Sequence, residues 1–215
     1  MHRIVLLGPP ASGKGTQSDR ISSLLNIPHL STGNILRKEV ENGSPIGLEA
    51  QKYLDRGAYV PDELILSMVQ AWLSERPEGW LLDGFPRTKA QAEALQNLPG
   101  VDKPTLVLGL EVPKEALISR MEGRRECSGC GKTVSITEGQ KEICADCGGD
   151  LVKRSDDVID SFKVRYQNYE ELTLPLFDFY QEKGILVRID GTQSPDAVFD
   201  QIKQHLVSEQ VHGEA

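Results

Sequence analysis

The stretch Ile4-Val5-Leu6-Leu7-Gly8-Pro9-Pro10-Ala11-Ser12-Gly13-Lys14-Gly15-Thr16 limits what this chain can fold into more than any other. An apolar, β-branched run leads into a glycine-bounded loop, a lysine and an amphipathic segment. That order reads as strand, phosphate-binding loop, helix. Successive loop N–H groups and the free N–H groups of the helix start converge on one point, a concavity that suits a polyphosphate. Pro9 and Pro10 have no N–H, so Ser12 through Thr16 must supply the cradle, and Lys14 adds a mobile positive charge. The strict pattern asks for Ser or Thr directly after the lysine. Here Gly15 stands in that place and Thr16 follows it. A chance glycine turn before a helix is the plain alternative, and the apolar strand in front argues against it.

The remainder alternates between strand and helix signals. Strands are expected at 2–7, 28–31, 80–83, 105–111 and 185–190. Helices are expected at 14–25, from an N-cap at Thr32 to Asn42, from Ser44-Pro45 to Gly57, and from Asp62 to about Glu75. Another starts at Pro113 and reaches Arg120, Arg124 and Arg125. A long helix runs from about Asp157 to Lys183 with a kink or break at Pro175, and a last one opens at Ser194-Pro195 and frays from Glu209. This predicts an α/β fold, a five-stranded parallel sheet covered by helices on both faces. Ligands of such sheets bind beyond the carboxyl ends of the strands. Asp83 ends an apolar strand there, where a carboxylate holds magnesium through water; a helix cap or turn role is the alternative. Thr88 and Gln91 have capping-box spacing.

All four cysteines fall between Cys127 and Cys147, as Cys127-Ser-Gly-Cys130-Gly and Cys144-Ala-Asp-Cys147-Gly. Each Cys-x-x-Cys wraps one side of a metal, and the glycine after it permits the tight turn. Four thiolates favour tetrahedral zinc and leave no open position, so the site is expected to be structural. Disulfides, a redox pair, or iron in the same cage are the alternatives. The segment is too small to bury a core of its own, so metal binding would supply its folding energy.

Together the motifs resemble the adenylate kinases, in the form with a zinc-bearing lid. The likeness spans about residues 4–200. It rests on the loop at 8–17, Ser-Thr-Gly at 31–33 with Arg37, Val-Pro-Asp-Glu at 60–63 and Asp-Gly-Phe-Pro-Arg-Thr at 83–88. Gly-Arg-Arg at 123–125, the knuckles, Arg-x-Asp-Asp at 154–157 with Arg165, and Asp-Gly-Thr at 190–192 complete it.

The resemblance implies the reaction MgATP + AMP ⇌ 2 ADP, with Mg2+ accompanying ATP and Zn2+ in the lid. It implies that Ala11, Ser12, Gly13, Lys14, Gly15 and Thr16 hold the ATP phosphates together with Arg124. Thr133, Val134 and the backbone of Gln193 flank the ATP adenine. Thr32, Arg37, Ala58, Tyr59, Val60, Gly84, Phe85, Pro86, Arg87 and Gln91 form the AMP site, joined by Arg154 and Arg165. Lys14, Asp83, Arg87, Arg120, Arg124, Arg154 and Arg165 make up the catalytic set. The implied organisation is a core of 1–30, 61–122 and 158–215, carrying an AMP-binding flap at 31–60 and a lid at 123–157. Four positions depart from the family pattern: Ala11 for glycine, Asn34 for aspartate, Val134 for an aromatic, and Gln193 for lysine.

The chemistry of the residues agrees with that reading. An ionised phosphate acceptor needs no general base, and none of the motifs contains a histidine. Catalysis is then left to positioning and positive charge. A formal charge of −8 argues against a general nucleic-acid binder, and no apolar run is long enough to span a bilayer. The expectation is a soluble, cytoplasmic monomer whose partners are ATP, AMP and ADP. Competing readings are a kinase of other nucleoside monophosphates, a nucleic-acid-dependent ATPase with a zinc ribbon, and a structural zinc module with an inactive loop.

Overall fold

The structure is a computed structural model that describes residues 2–136, 140–154 and 156–212, with side chains as far as residue 206. Its first half comprises β1 (Arg3–Leu7), α1 (Lys14–Leu25), β2 (His29–Ser31), α2 (Thr32–Glu41), α3 (Pro45–Leu54), α4 (Asp62–Ser74), β3 (Trp80–Asp83) and α5 (Lys89–Gln96). The second half comprises β4 (Leu106–Glu111), α6 (Lys114–Gly123), β5 (Arg124–Cys127), β6 (Thr133–Ser135), β7 (Leu151–Val152), α7 (Ile159–Asn168), α8 (Pro175–Glu182), β8 (Leu186–Asp190) and α9 (Pro195–His212).

Five strands form one parallel sheet in the order β2-β3-β1-β4-β8. Alternate residues of β1 face opposite sides, and both sides are buried. Val5 and Leu7 join the core with Leu82, Val107, Phe177 and Tyr180, whereas Ile4 and Leu6 join Ile21, Leu108, Ile189 and Ile202. Two buried faces explain why these strands read as continuous apolar runs without alternation. The strand order brings β1 between β3 and β4, with Leu6 in register with Asp83 and Leu7 with Gly109. The loop after β1 therefore starts beside Asp83 at the carboxyl edge of the sheet.

A separate antiparallel sheet, β6-β5-β7, carries the four cysteines. Its apolar core is small: Leu151 and the buried Cys127 and Cys144, with Val134 and Ile136 against them. Among the described residues no helix is long and apolar enough to cross a membrane.

Two expectations about the elements need correction. The helix at Pro113 ends at Gly123, so Arg120 lies on α6 but Arg124 and Arg125 lie on β5. Thr32 is the first helical residue and Ser31 holds the N-cap position; the Thr32 hydroxyl donates instead to the Gly84 carbonyl at 2.9 Å. The break allowed for at Pro175 is present: α7 is followed by a π-helical turn over Tyr169–Thr173, and α8 begins at Pro175. Proline has no N–H and its ring crowds the carbonyl four residues back, so a wider turn before it relieves both problems. The frayed end expected from Glu209 involves side chains, and from residue 213 a backbone, that lie outside the described residues.

Helices α2 and α3 pack through a bare backbone contact at Gly47. A Cβ there would lie 2.0 Å from the Glu39 carbonyl oxygen and 2.5 Å from Val40 N. Neither neighbour is a movable side chain. Gly47→Ala is therefore expected to push the pair apart and to destabilise the protein by about 2–3 kcal/mol, the upper range for overpacking. A thermal melt within a degree of the parent would show that the two helices do not need this approach.

Candidate active site

The loop between β1 and α1 turns through two left-handed residues, Ala11 at φ 63° and Gly13 at φ 95°. Ala11 therefore sits where glycine is at ease, in the left-handed region that costs a non-glycine residue about 1–2 kcal/mol. Its methyl group has a compensating contact, packed against the small cluster of Val112, Leu117, Met121 and Phe162. Lys14 Nζ turns back over the loop and donates to the carbonyls of Gly8 at 2.9 Å and Pro9 at 2.8 Å. Burial, reinforced by Arg87, Arg165 and Arg124 and opposed by Asp83, lowers the Lys14 pKa to about 8. Asp83 is 8% exposed at the end of β3, facing the same loop.

The loop opens into a cleft of about 860 Å3 between the large sheet and the cysteine-bearing sheet. Five arginines from distant parts of the chain meet there with Lys14: Arg37 from α2, Arg120 from α6, Arg124 from β5, Arg154 just after β7, and Arg165 from α7. Arg87, between β3 and α5, makes a sixth. Each is held from behind. Arg120 donates to the carbonyls of Ser12 and Thr192, both at 3.3 Å. Arg124 forms a two-point pair with the fully buried Asp157, one contact being Nε to Oδ2 at 2.8 Å. Arg154 pairs with Glu126 and donates to Thr133 Oγ1 at 2.8 Å. Arg165 donates to Asp156 Oδ2 at 2.7 Å. Arg37 donates to Asn34 Oδ1, so the amide at this departure from the family pattern serves as an anchor. Arg87 Nε donates to the Gly84 carbonyl at 2.7 Å, and its guanidinium lies 4.9 Å from the centre of the Tyr59 ring. Behind it, Thr173 on the π-helical turn donates to the Arg87 carbonyl at 2.8 Å and meets the Tyr59 hydroxyl at 3.0 Å.

The crowding leaves an electrostatic signature. Burial, with Arg124 and Arg87 nearby, pushes Arg165 down to about 10 in spite of Asp156. Arg37 is also lowered, by burial and then by Arg154. Arg124 moves the other way, because its bonds to Asp157 outweigh burial. For Asp156, burial is outweighed by Arg165, Arg37, Arg124 and Arg154, and its carboxyl is held low. So many like charges in a partly dry cleft raise one another's energy, and a polyanion relieves them all at once.

A crevice of about 30 Å3 adjoins the cleft, lined by Thr32, Leu36, Ala58, Val60, Ile65 and Gln91, and sharing Tyr59, Gly84 and Arg87 with it. The expected site residues thus fall into two groups. Residues 11–16, Arg37, Asp83, Pro86, Arg120, Arg124, Thr133, Val134, Arg154, Arg165 and Gln193 line the cleft, and Thr32, Ala58, Val60 and Gln91 line the crevice. Phe85 lines neither: it is fully buried in the core below the sheet, so that only its backbone is left for the site. The holding acids Glu126, Asp156 and Asp157, and Asp62 and Thr173, carried no individual role in the sequence reading. Asp156 and Asp157 stand inside the Arg-x-Asp-Asp motif and Asp62 inside Val-Pro-Asp-Glu, which is the signal the sequence carries for them. His29 also reaches the cleft, with Nε2 at 3.5 Å from Asp19 Oδ1.

The four cysteine sulfurs lie within 4.8 Å of one another as free thiols. Cys127 and Cys147 Sγ are 3.3 Å apart, and Cys130 and Cys144 Sγ are 3.8 Å apart. A tetrahedron with Zn–S bonds of about 2.3 Å has an edge of roughly 3.8 Å, so the cage fits that ion. Gly131 and Gly148 turn the knuckles at φ 72° and 75°, a region that glycine occupies freely.

The adenylate kinase family profile matches residues 6–185. Among curated proteins named adenylate kinase, that of Clostridium botulinum (strain Eklund 17B / Type B) is 45% identical over 207 residues, covering 93% of this chain and 96% of its own. Those of Clostridium tetani and Carboxydothermus hydrogenoformans are each 43% identical, covering 94% and 95% of this chain and 97% and 99% of theirs.

Proposed function

The chain belongs to the adenylate kinase family, and from that premise we propose that it transfers the terminal phosphoryl group of MgATP reversibly to AMP, giving two ADP. One observation supports this most. Lys14 and six arginines face a single cleft over a phosphate-binding loop. The acceptor of such a reaction is itself an ionised phosphate, which needs no deprotonation. The work is to bring two polyanions together and to stabilise the charge on the transferring group.

In this reading residues 11–16 hold the ATP phosphates and Lys14 follows the transferring group. Arg120 and Arg124 bind the donor side, and Arg37 and Arg87 the acceptor phosphate. Arg154 and Arg165 lie between the two. The crevice by Thr32 and Gln91 receives the AMP base, and Thr133, Val134 and the Gln193 backbone flank the ATP base. Asp83 suits an Mg2+ ion held through water: it is a largely buried carboxylate beside the loop, close to Lys14. When bound, that ion neutralises phosphate charge. Zinc in the cysteine cage keeps β5, β6 and β7 folded, and so keeps Arg124, Arg154 and Thr133 over the cleft.

We assign residues 31–60 to an AMP-binding flap, 123–157 to a closing lid, and 1–30, 61–122 and 158–215 to the core. Closure excludes water, which would otherwise compete with AMP for the phosphoryl group. The protein acts as a cytoplasmic monomer in adenine nucleotide homeostasis. A coupled assay with MgATP and each nucleoside monophosphate, plus a control with no acceptor, tests this. ADP is expected only with AMP. Equal turnover with CMP, UMP or GMP would replace the reading with a broader kinase, and ATP loss without acceptor would replace it with an ATPase.

A further inference from the structure

Asp62, Thr88 and Gln91 form a closed hydrogen-bond set apart from the cation cluster. Gln91 Nε2 donates to Asp62 Oδ1 at 2.6 Å, and Gln91 Oε1 accepts from Arg87 N at 2.7 Å. Thr88 Oγ1 accepts from Gln91 N and donates to Asp62 Oδ2, both at 3.1 Å. The capping box foreseen at Thr88 is thus half realised: threonine caps α5, but the glutamine side chain reaches back to Arg87 N.

Two of these partners have fixed polarity. A carboxylate accepts and a peptide N–H donates. Turning the Gln91 amide over would set its oxygen against Asp62 and its NH2 against Arg87 N–H. Asp62 and Arg87 N therefore select one orientation between them. Gln91 is 2% exposed and lines the crevice beside Thr32 and Val60.

We propose that Asp62 is a positioning residue that sets base selectivity at the acceptor site, by locking the Gln91 amide so that it accepts a 6-aminopurine and rejects a 6-ketopurine. This rests on the reading of the crevice as the site of the AMP base. A primary amide has two N–H groups and two lone pairs. Asp62 uses one N–H and Arg87 N uses one lone pair. One donor and one acceptor remain side by side for a ligand. Adenine presents an acceptor, N1, beside a donor, the 6-amino group. Hypoxanthine and guanine present a donor, N1–H, beside an acceptor, O6. The two edges have opposite sign at the same positions. A freely turning amide serves both, and a locked one serves a single edge. The wrong base then leaves buried polar groups unpaired, the situation in which a site discriminates most strongly.

The test compares kcat/KM for AMP and for inosine 5′-monophosphate at fixed MgATP, in the full chain and in Asp62→Asn. Asparagine presents either an oxygen or an NH2 to Gln91, which leaves Arg87 N as the one polar lock. The preference for AMP is expected to fall by about tenfold, mainly through improved use of the 6-ketopurine. A purely structural role for Asp62 would lower both substrates together and leave their ratio unchanged. A ratio within twofold of the parent in a folded Asp62→Asn protein overturns the proposal. Gln91→Met gives an arm that does not depend on how Asp62→Asn folds. It removes the amide and should bring the two substrates to within a few-fold of each other, and a preserved preference would again overturn the proposal. Failure of the parent protein to use AMP at all is a different pattern. It removes the acceptor reading first and the proposal with it.

Discussion

Replacing Lys14 by methionine is expected to lower the rate of phosphoryl transfer by about 10²–10³-fold, the usual effect of removing one preorganised charge at a transferring group. Methionine keeps the length and the apolar stem. The free fold loses a desolvated charge, which favours it, and also the donor to the Gly8 and Pro9 carbonyls, which does not. These effects oppose each other, so the rate and not the melting temperature is the informative measurement. A variant with more than a tenth of the parent rate would show that the arginines alone carry the charge.

The same lysine predicts a pH dependence. Burial lowers its pKa from 10.5 in the open chain to about 8 in the folded protein. Between those values the unfolded chain holds a proton that the folded chain lacks, so this group makes the free protein more stable as pH rises through that window. Nucleotide binding goes the other way. The phosphate-bound lysine must be charged, and above about pH 8 the free protein has to take up that proton. ATP affinity should be level below pH 8 and fall towards tenfold per unit above it. Titrations from pH 7 to 9.5 on the parent and Lys14→Met would separate this group from the rest. A parent curve parallel to that of the variant would remove Lys14 as the cause.

Stripping the metal from the cysteine cage should have a comparably large effect. Among the described residues, the cysteine-bearing sheet buries Leu151 and two cysteines, with Val134 and Ile136 partly covered. Structural zinc contributes about 10–16 kcal/mol of apparent binding energy in small cages of this kind. A strong chelator, or Cys144→Ala, should therefore unfold β5, β6 and β7 as a unit. It should release about one equivalent of metal and open residues 124–154 to proteolysis, while the parallel sheet stays folded. Activity should fall at the same time, because Arg124, Arg154 and Thr133 are carried on that unit. A metal-free preparation of full activity, resistant to protease in this segment, would be the contrary outcome.

Much of this was legible along the chain, and the reason is local. The loop at 8–16, the two knuckles, and the strand that ends at Asp83 each owe their chemistry to neighbours a few residues away. Both faces of the sheet are buried, so its strands had to read as unbroken apolar runs. What was misread also has local causes. The helix was carried on past Gly123 to Arg124 and Arg125, whose pairing with Ser135 and Val134 makes them a strand.

The resemblance of the motifs, and no rule of spacing, pointed to the set of basic residues; the sequence by itself determined the parallel α/β sheet, the phosphate-binding loop and the four-cysteine cluster. These follow from periodicity, turn chemistry and ligand spacing, all of which act over short range. Only the tertiary structure decided which acid holds which arginine: Asp157 behind Arg124, Asp156 behind Arg165, Glu126 behind Arg154. It alone brought Asp62 to Gln91 and Thr173 to Arg87. All but Asp156–Arg165 join residues far apart in the chain, and a charge or an amide has no defined partner until packing has fixed the distance and direction between them.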